Sequence, residues 1–181
     1  MTGIDLLVEE HKNIIRFTEV LKKICCNIIQ GQEADTVLLR QCIEFGRNYA
    51  DKHHHGKEEK ILFRIMQDSL GTTAQKLIRN GMLVEHDLGR YHVMELENAI
   101  NEYEKNKSVE NKLEIIVNAA GYANLLKRHI EKEDNVVYSF AKNSLSEADK
   151  KRVNEETELF EAEEKCTILN SLEQMEAKVN L

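Results

Sequence analysis

No proline occurs in the 181 residues of this chain, although average usage would give roughly nine. Glycine is also sparse, with 8 residues. Tight turns depend on these two residue types, and a protein made of many short strands needs a turn every few residues. The missing prolines therefore argue against a turn-dense all-β fold and favour long, uninterrupted helices.

Apolar residues repeat at helical spacing through almost the whole chain. Four long segments with very short connections show this pattern, at residues 2–30, 35–70, 72–104 and 108–140. We therefore predict an all-α fold: an antiparallel up-down-up-down four-helix bundle with an additional C-terminal helix. We expect residues 1–143 to form the bundle. Residues 144–181 are predicted to form a C-terminal helix that packs on the bundle or on a partner chain.

Charge and apolar content limit the partners that the chain can have. The net charge is -7, so we expect no basic surface for nucleic acid. No apolar run approaches the roughly 20 residues of a membrane span, and no signal peptide is visible. The cysteines lack metal-type or disulfide-type spacing, which favours reduced thiols; they are Cys25, Cys26, Cys42 and Cys166. We expect a cytoplasmic protein that binds neither nucleic acid nor membrane.

Histidines lie where a helical bundle needs apolar side chains. His11, His86 and His129 each fall on the apolar stripe of their own segment. A single histidine in such a place is usually a core residue with a hydrogen-bond partner. Histidines on the inner face of every helix of the bundle instead indicate a shared site.

Two histidines are followed by a glutamate four residues later, on the same helical face. These pairs are His54 with Glu58 in the second segment and His129 with Glu133 in the fourth. The residues one turn away on these faces are apolar or small, so both pairs are expected to point inward. Burying two carboxylates without compensation costs several kcal/mol. A pair of metal ions would neutralise them, and imidazole with carboxylate suits iron, manganese or zinc.

Four short segments carry these residues. They are Glu10-His11-Lys12; His53-His54-His55-Gly56-Lys57-Glu58-Glu59 with Leu62-Phe63; Glu85-His86-Asp87; and His129-Ile130-Glu131-Lys132-Glu133-Asp134. Together they resemble the hemerythrin-like family, the HHE cation-binding domains. The resemblance covers about residues 1–142, and the second and fourth segments are its specific part.

This resemblance implies a bundle that holds two iron ions bridged by two carboxylates and an oxo or hydroxo group. Carried over by position, the metal ligands are His11, His54, Glu58, His86, His129 and Glu133, with Glu58 and Glu133 as the bridges. His55 with Glu59 has the same spacing as His54 with Glu58, but the family motif counts from the first histidine. Asp134 is an alternative to Glu133. His53, His55 and His92 are then expected to lie outside the site.

One position departs from the oxygen-carrying members of the family. They have a second histidine four residues after the third-helix histidine, where this chain has Arg90. Arg90 is expected either to contact a bound anion or to be solvated. Four histidines and two carboxylates leave open coordination positions, which implies that a small diatomic ligand (O2 or NO) or peroxide binds or reacts there.

The resemblance therefore favours a role in sensing, detoxification or iron-centre repair, and it leaves open whether the chain is an enzyme. One alternative is a reversible oxygen-storage or plain metal-binding module without turnover. Another is a helical interaction protein whose metal site is not used. A homo-oligomer formed through the C-terminal helix is a further expectation.

Overall fold

The computed structural model describes residues 1–163 and 168–180, and these residues form six helices without any strand. Helix α1 is Gly3–Ile29. Helix α2 runs on from Thr36–Phe45 through Gly46–His55 and Glu58–Leu62 to Phe63–Ser69. Helix α3 comprises Gly71–Leu77, Ile78–Met82 and Leu83–Lys105. Helix α4 comprises Val109–Lys132, Glu133–Val137 and Tyr138–Ser144. Helix α5 is Glu147–Glu163, and helix α6 is Leu169–Val179.

Polar side chains cap the starts of α1, α2 and α4. Thr2 and Asp5 form a capping box at the start of α1. The side chains of Asp35 and Ser108 accept hydrogen bonds from the backbone N–H groups three residues later, which starts α2 and α4.

The first four helices form the predicted antiparallel bundle. Along α1, Asp5 contacts Lys142 near the end of α4, whereas Glu19 contacts Lys127 further back, so the two helices run in opposite directions. Helices α2 and α3 are related in the same way. The predictions of an all-α fold and of a four-helix bundle are confirmed.

The apolar core of the bundle is divided into two clusters along its length. One cluster contains Ile14 of α1, Val93 of α3 and Ile130 of α4. The other contains Leu7 of α1 and Val137 of α4. Along each helix the histidines and carboxylates lie where one cluster ends and the other begins, so the polar residues form a layer with apolar packing at both ends.

Four stretches of the bundle helices have wide, π-helical turns. They are Gly46–His55, Glu58–Leu62, Ile78–Met82 and Glu133–Val137. Such turns are rare and are often found at functional sites, since they change which side chains face inward. Three of the four stretches carry or begin with residues of the polar layer.

The C-terminal segment differs from the single helix that we predicted. It contains two helices, α5 and α6, and residues 164–167 between them, including Cys166, lie outside the described part of the chain. Helix α6 packs on α1 and α2 through Leu172, Met175 and Val179, which are fully buried. The division of the chain at residues 143 and 144 stays a prediction.

None of the described helices combines the length and the apolar character that a membrane span requires.

The packing of α6 generates a stability prediction. Leu172→Ala removes a fully buried side chain, and we expect it to lower the free energy of unfolding by about 2–5 kcal/mol. Leu159→Ala is the matched control, because Leu159 lies on α5 and is largely exposed; its effect should stay within about 0.5 kcal/mol. Chemical denaturation followed by circular dichroism measures both. Equal effects would contradict the packing of α6 on the bundle.

Candidate metal centre

The six residues predicted as ligands lie together in the polar layer, and all of them are buried. They are His11 on α1, His54 and Glu58 on α2, His86 on α3, and His129 and Glu133 on α4. Each helix of the bundle therefore contributes at least one side chain. Whether all six bind metal stays a prediction, which the geometry below makes specific.

The cluster contains two groups of possible ligand atoms. His11, His54, Glu58 and Glu133 form one group, in which the four atoms lie within 4.8 Å of one another. The Nε2 atom of His11 is 3.3 Å from Oε2 of Glu133, and Nε2 of His54 is 3.7 Å from Oε2 of Glu58.

The second group consists of His55, Glu58, His86 and His129, with the same 4.8 Å limit between its atoms. Glu58 belongs to both groups. Glu133 also reaches both, because its Oε1 atom is 3.0 Å from Nε2 of His129 while its Oε2 atom faces His11. The two carboxylates thus stand between two sets of imidazoles.

His55 was expected to lie outside the site, and the structure corrects this. Its side chain is buried and stacks on the His86 ring, with centroids 3.8 Å apart and planes 6° apart. The wide turns of Gly46–His55 place consecutive histidines on the inside of α2, His54 toward one group and His55 toward the other. His53 is also buried, but it lies against Glu10, outside both groups.

The geometry also separates the alternatives that the sequence left open. Glu59 is part of neither group, because its side chain turns outward to Nδ1 of His86 at 2.7 Å. Asp134 likewise lies behind a histidine: its Oδ1 atom is 2.8 Å from Nδ1 of His11, and its side chain is about one-third exposed. Glu133, by contrast, is fully buried and faces the interior.

Every histidine of the two groups has a carboxylate at its outer nitrogen, Nδ1. The pairs are His11 with Asp134, His54 with Glu10, His55 with Asp51, His86 with Glu59 and His129 with Glu85, at 2.7 to 3.3 Å. A carboxylate at Nδ1 holds the ring in the tautomer whose Nε2 lone pair is free to bind a metal. This arrangement is typical of metal-binding histidines.

Several inward-facing atoms have no hydrogen-bond partner. They are Nε2 of His54 and Oε2 of Glu58, and the carboxylate oxygens of Glu133 face only the imidazole nitrogens of His129 and His11. In addition, the Nε2 atoms of His86 and His129 face each other at 3.1 Å. Buried polar atoms without partners are costly, and cations bound among them would satisfy all of these atoms. The donor set present therefore fits a pair of metal ions.

The two inner carboxylates have opposite pKa shifts. Burial and the neighbouring Glu133 raise the pKa of Glu58 well above its usual range. Burial alone would also raise the pKa of Glu133, but His129 and His11 outweigh it and hold that pKa well below its usual range. The shifts differ in sign because Glu133 faces the imidazoles of His129 and His11, whereas Glu58 faces Glu133.

The histidines are divided in the same way. Burial lowers the pKa of His54 to about 4, although Glu10 opposes the shift. Burial and the adjacent His86 lower the pKa of His55 well below its usual value. Burial would also lower the pKa of His129, but Glu133 and Glu85 raise it to about 9. Neutral imidazoles are the metal-binding form, and His54 and His55 are in that form near neutral pH.

A third group of possible ligands, Glu10, His53 and Glu161, has a different explanation. The ammonium group of Lys57, which is almost completely buried, contacts both glutamates and lies 3.0 Å from Nε2 of His53. Lys57 thus takes the place that a metal cation would occupy. This group joins α5 to the outer side of the centre through Glu161.

Tyr138 is a further buried side chain at the centre. Its hydroxyl donates a hydrogen bond to Oε1 of Glu58 at 2.6 Å and lies 3.3 Å from Nε2 of His11. From the sequence, His55, Glu59 and Asp134 are only alternative ligands, and Tyr138 is not predicted as a neighbour of the centre. The sequence could have indicated that Tyr138 is buried near the centre, because it directly follows Val137 on the inner side of α4. Most of the outer carboxylates could not be predicted from sequence spacing, because each lies on a different helix from the histidine that it contacts.

The bundle and its buried layer of imidazoles and carboxylates together define a metal-binding helical domain. The profile described as Hemerythrin HHE cation binding domain matches residues 2–141, which include every residue of the two groups. The chain belongs to this family. A comparison with curated proteins finds no significant match.

The opposite pKa shifts predict opposite effects of two glutamine substitutions on the metal-free protein. The pKa of Glu58 is higher in the folded protein than in the unfolded chain. As the pH rises from the unfolded-state pKa to the folded-state pKa, Glu58 therefore costs the folded protein about 1.4 kcal/mol of stability for each pH unit. Glu58→Gln should therefore raise the free energy of unfolding at neutral pH. Glu133→Gln should lower it, by about 3–5 kcal/mol, because it removes the ionised partner of buried histidines.

Chelator-treated samples of both variants, unfolded by denaturant at neutral and at mildly acidic pH, measure these effects. The benefit of Glu58→Gln should shrink as the pH falls toward the usual carboxyl pKa. Destabilisation by both substitutions to the same extent would show that the two carboxyl groups do not differ in charge state.

Proposed function

We propose that the chain binds two iron ions in the polar layer, with Glu58 and Glu133 shared between them. His11 and His54 would hold one ion, and His55, His86 and His129 would hold the other. This set is the predicted one with His55 added. The inward-facing atoms without hydrogen-bond partners are the observation that carries the proposal, because cations bound between them would satisfy them together.

The charges around the centre support a pair of ions. Five outer carboxylates and two inner ones surround the histidines, whereas Lys57, Arg90 and Lys132 are the cations that contact these carboxylates among the described residues. Cations bound between the inner carboxylates would add the positive charge that stabilises these groups when both are ionised. Imidazole with carboxylate is the ligand mixture of non-haem iron, although it also suits manganese and zinc.

The two positions differ in the number of protein ligands. The position of His11 and His54 has one histidine fewer, so it is where we propose that a small external ligand binds. Ferrous iron held there would supply electrons to O2, NO or peroxide. The Tyr138 hydroxyl also lies on this side, where it donates to Glu58 and lies 3.3 Å from Nε2 of His11, and apolar clusters pack above and below the centre. A role in sensing, detoxification or iron-centre repair follows from this chemistry.

One observation favours the second candidate function, reversible oxygen storage. Storage was disfavoured from the sequence because only four histidines were assigned to the site, with Arg90 in the place of the fifth. His55 supplies a fifth imidazole next to His86. The same centre could therefore hold a ligand without turnover, and this alternative stays part of the test.

The proposal also includes a cytoplasmic location and a self-associating chain. Cys25, Cys26 and Cys42 are free thiols in the described part of the chain, which agrees with a reducing compartment. A homo-oligomer contact through the C-terminal segment would have to use the outer surface of α5 or α6, because the apolar face of α6 is buried on its own bundle.

Metal loading tests the ligand set. Protein expressed with ample iron should contain two iron ions per chain, and His54→Ala should lower metal affinity by at least about 10–100-fold, the effect typical even of an outer partner. His92→Ala is the matched control, since His92 packs on Gly121 away from both groups and should leave iron content unchanged. Metal analysis of the purified variants measures this. Equal iron in wild type and His54→Ala would refute the proposal.

Exposure of the reduced protein to O2, NO and peroxide separates the two functions. Absorption spectra recorded after anaerobic addition should show rapid oxidation of the centre or consumption of peroxide if the chain senses or detoxifies these molecules. A stable O2 adduct that releases O2 under vacuum would instead select storage.

A further inference from the structure

Arg90 lies at the mouth of a cavity beside the second group of histidines. The cavity, of about 130 Å³, is bordered by Arg90, His55 and His86, and it reaches Tyr122 on α4. Glycines keep α2 and α3 open here: a Cβ atom on Gly46 or Gly89 would approach the Tyr122 side chain to 3.3 or 3.4 Å. The cavity therefore reaches from the guanidinium group to two of the proposed metal ligands.

The guanidinium group of Arg90 is not simply solvated, because it forms ion pairs with neighbouring carboxylates. It donates hydrogen bonds to Asp51 and Glu59 on α2, with Nε 3.0 Å from Asp51 Oδ1 and Nη2 2.7 Å from Glu59 Oε1. A third bond, from Nη1, reaches Asp87 on α3 at 2.9 Å. Both α2 partners are half-buried, which reduces the screening of these charges by water.

Its two partners on α2 are the outer carboxylates of two histidines. Oδ1 of Asp51 lies 3.3 Å from Nδ1 of His55, and Oε1 of Glu59 lies 2.7 Å from Nδ1 of His86. Arg90 is thus the one described cation that contacts the carboxylates of both rings. These rings are also the parallel, stacked pair.

We propose that Arg90 is the positioning residue for the metal position of His55, His86 and His129, holding His55 and His86 through Asp51 and Glu59 and closing the cavity beside them. The inference rests on the proposed metal pair. It goes further by naming the residue that sets the metal affinity of one of the two positions. The chain thereby uses Arg90 to fix a histidine of α2, where carriers of the family have a histidine on α3.

The planar guanidinium group suits this task better than a lysine. It presents several N–H donors in a fixed geometry, so one side chain bonds Asp51 and Glu59 at the same time. A lysine ammonium is a point charge on a flexible stem and is expected to hold one of these carboxylates well. Arg90→Lys should therefore rescue only part of the function that Arg90→Ala removes.

Stepwise metal binding tests this proposal without any assay of activity. Full-length protein is stripped with a chelator and titrated with Co²⁺, while calorimetry and visible absorption follow each equivalent. We expect wild type to bind two equivalents. In Arg90→Ala, one equivalent should bind about 10–100-fold more weakly and leave faster to a chelator, while the other stays unchanged. Arg90→Lys should be intermediate.

Arg47→Ala is the matched control. Arg47 also borders the cavity and is exposed to the same extent, at 42% against 41% for Arg90, but its guanidinium group pairs with Glu97, away from the histidines. This variant should bind both equivalents as wild type does. Asp51→Asn removes the carboxylate at His55 alone, and it should weaken the same equivalent as Arg90→Ala.

The outcomes separate this inference from the proposed function. If wild type binds two equivalents and Arg90→Ala behaves like Arg47→Ala, the inference is wrong and the metal pair stands. Equal weakening of both equivalents would show a general structural effect and also refute it. If wild type binds fewer than two equivalents, the metal pair itself is refuted, and the inference with it.

Discussion

The structure depends on one electrostatic constraint: two carboxylates, Glu58 and Glu133, are completely buried in the middle of a helical bundle. Burial of such groups is unfavourable unless positive charge or hydrogen-bond donors compensate it. Imidazoles on all four helices surround them, burial raises the pKa of Glu58, and Tyr138 donates a hydrogen bond to Glu58. Cations remove the same cost and also engage the atoms that protein donors leave without partners. Metal binding at such a centre would be coupled to folding.

Several layers of side chains surround the centre, and each layer positions or stabilises the one inside it. Apolar clusters above and below keep out water, and outer carboxylates orient the rings from behind. Cations then hold several of those carboxylates: Lys57 contacts Glu10, and Arg90 contacts Asp51 and Glu59. Through Glu161, which contacts Lys57, the C-terminal segment takes part in this arrangement. Membership of the hemerythrin HHE family explains the bundle, whereas these outer contacts belong to the chain's own residues.

The wide turns of α2 and α4 explain how so many polar side chains converge. A regular α-helix directs about one residue in three or four to a given face. The π-helical stretch Gly46–His55 directs His53, His54 and His55 all into buried positions, toward three different neighbours. It thereby gives the chain a fifth imidazole without a histidine at position 90.

The sequence by itself determined the helical class, the four-helix bundle and the convergence of His11, His54, His86 and His129 with two glutamates. These conclusions depend on spacing within single helices, which the chain encodes locally. Only the tertiary structure decided that His55 joins the cluster, that Asp134 lies behind a histidine, and that the C-terminal segment folds as two helices. It also showed that most histidines receive their carboxylate from another helix, as His54 does from Glu10. Such pairs depend on the register between helices, and no spacing along one helix contains that information.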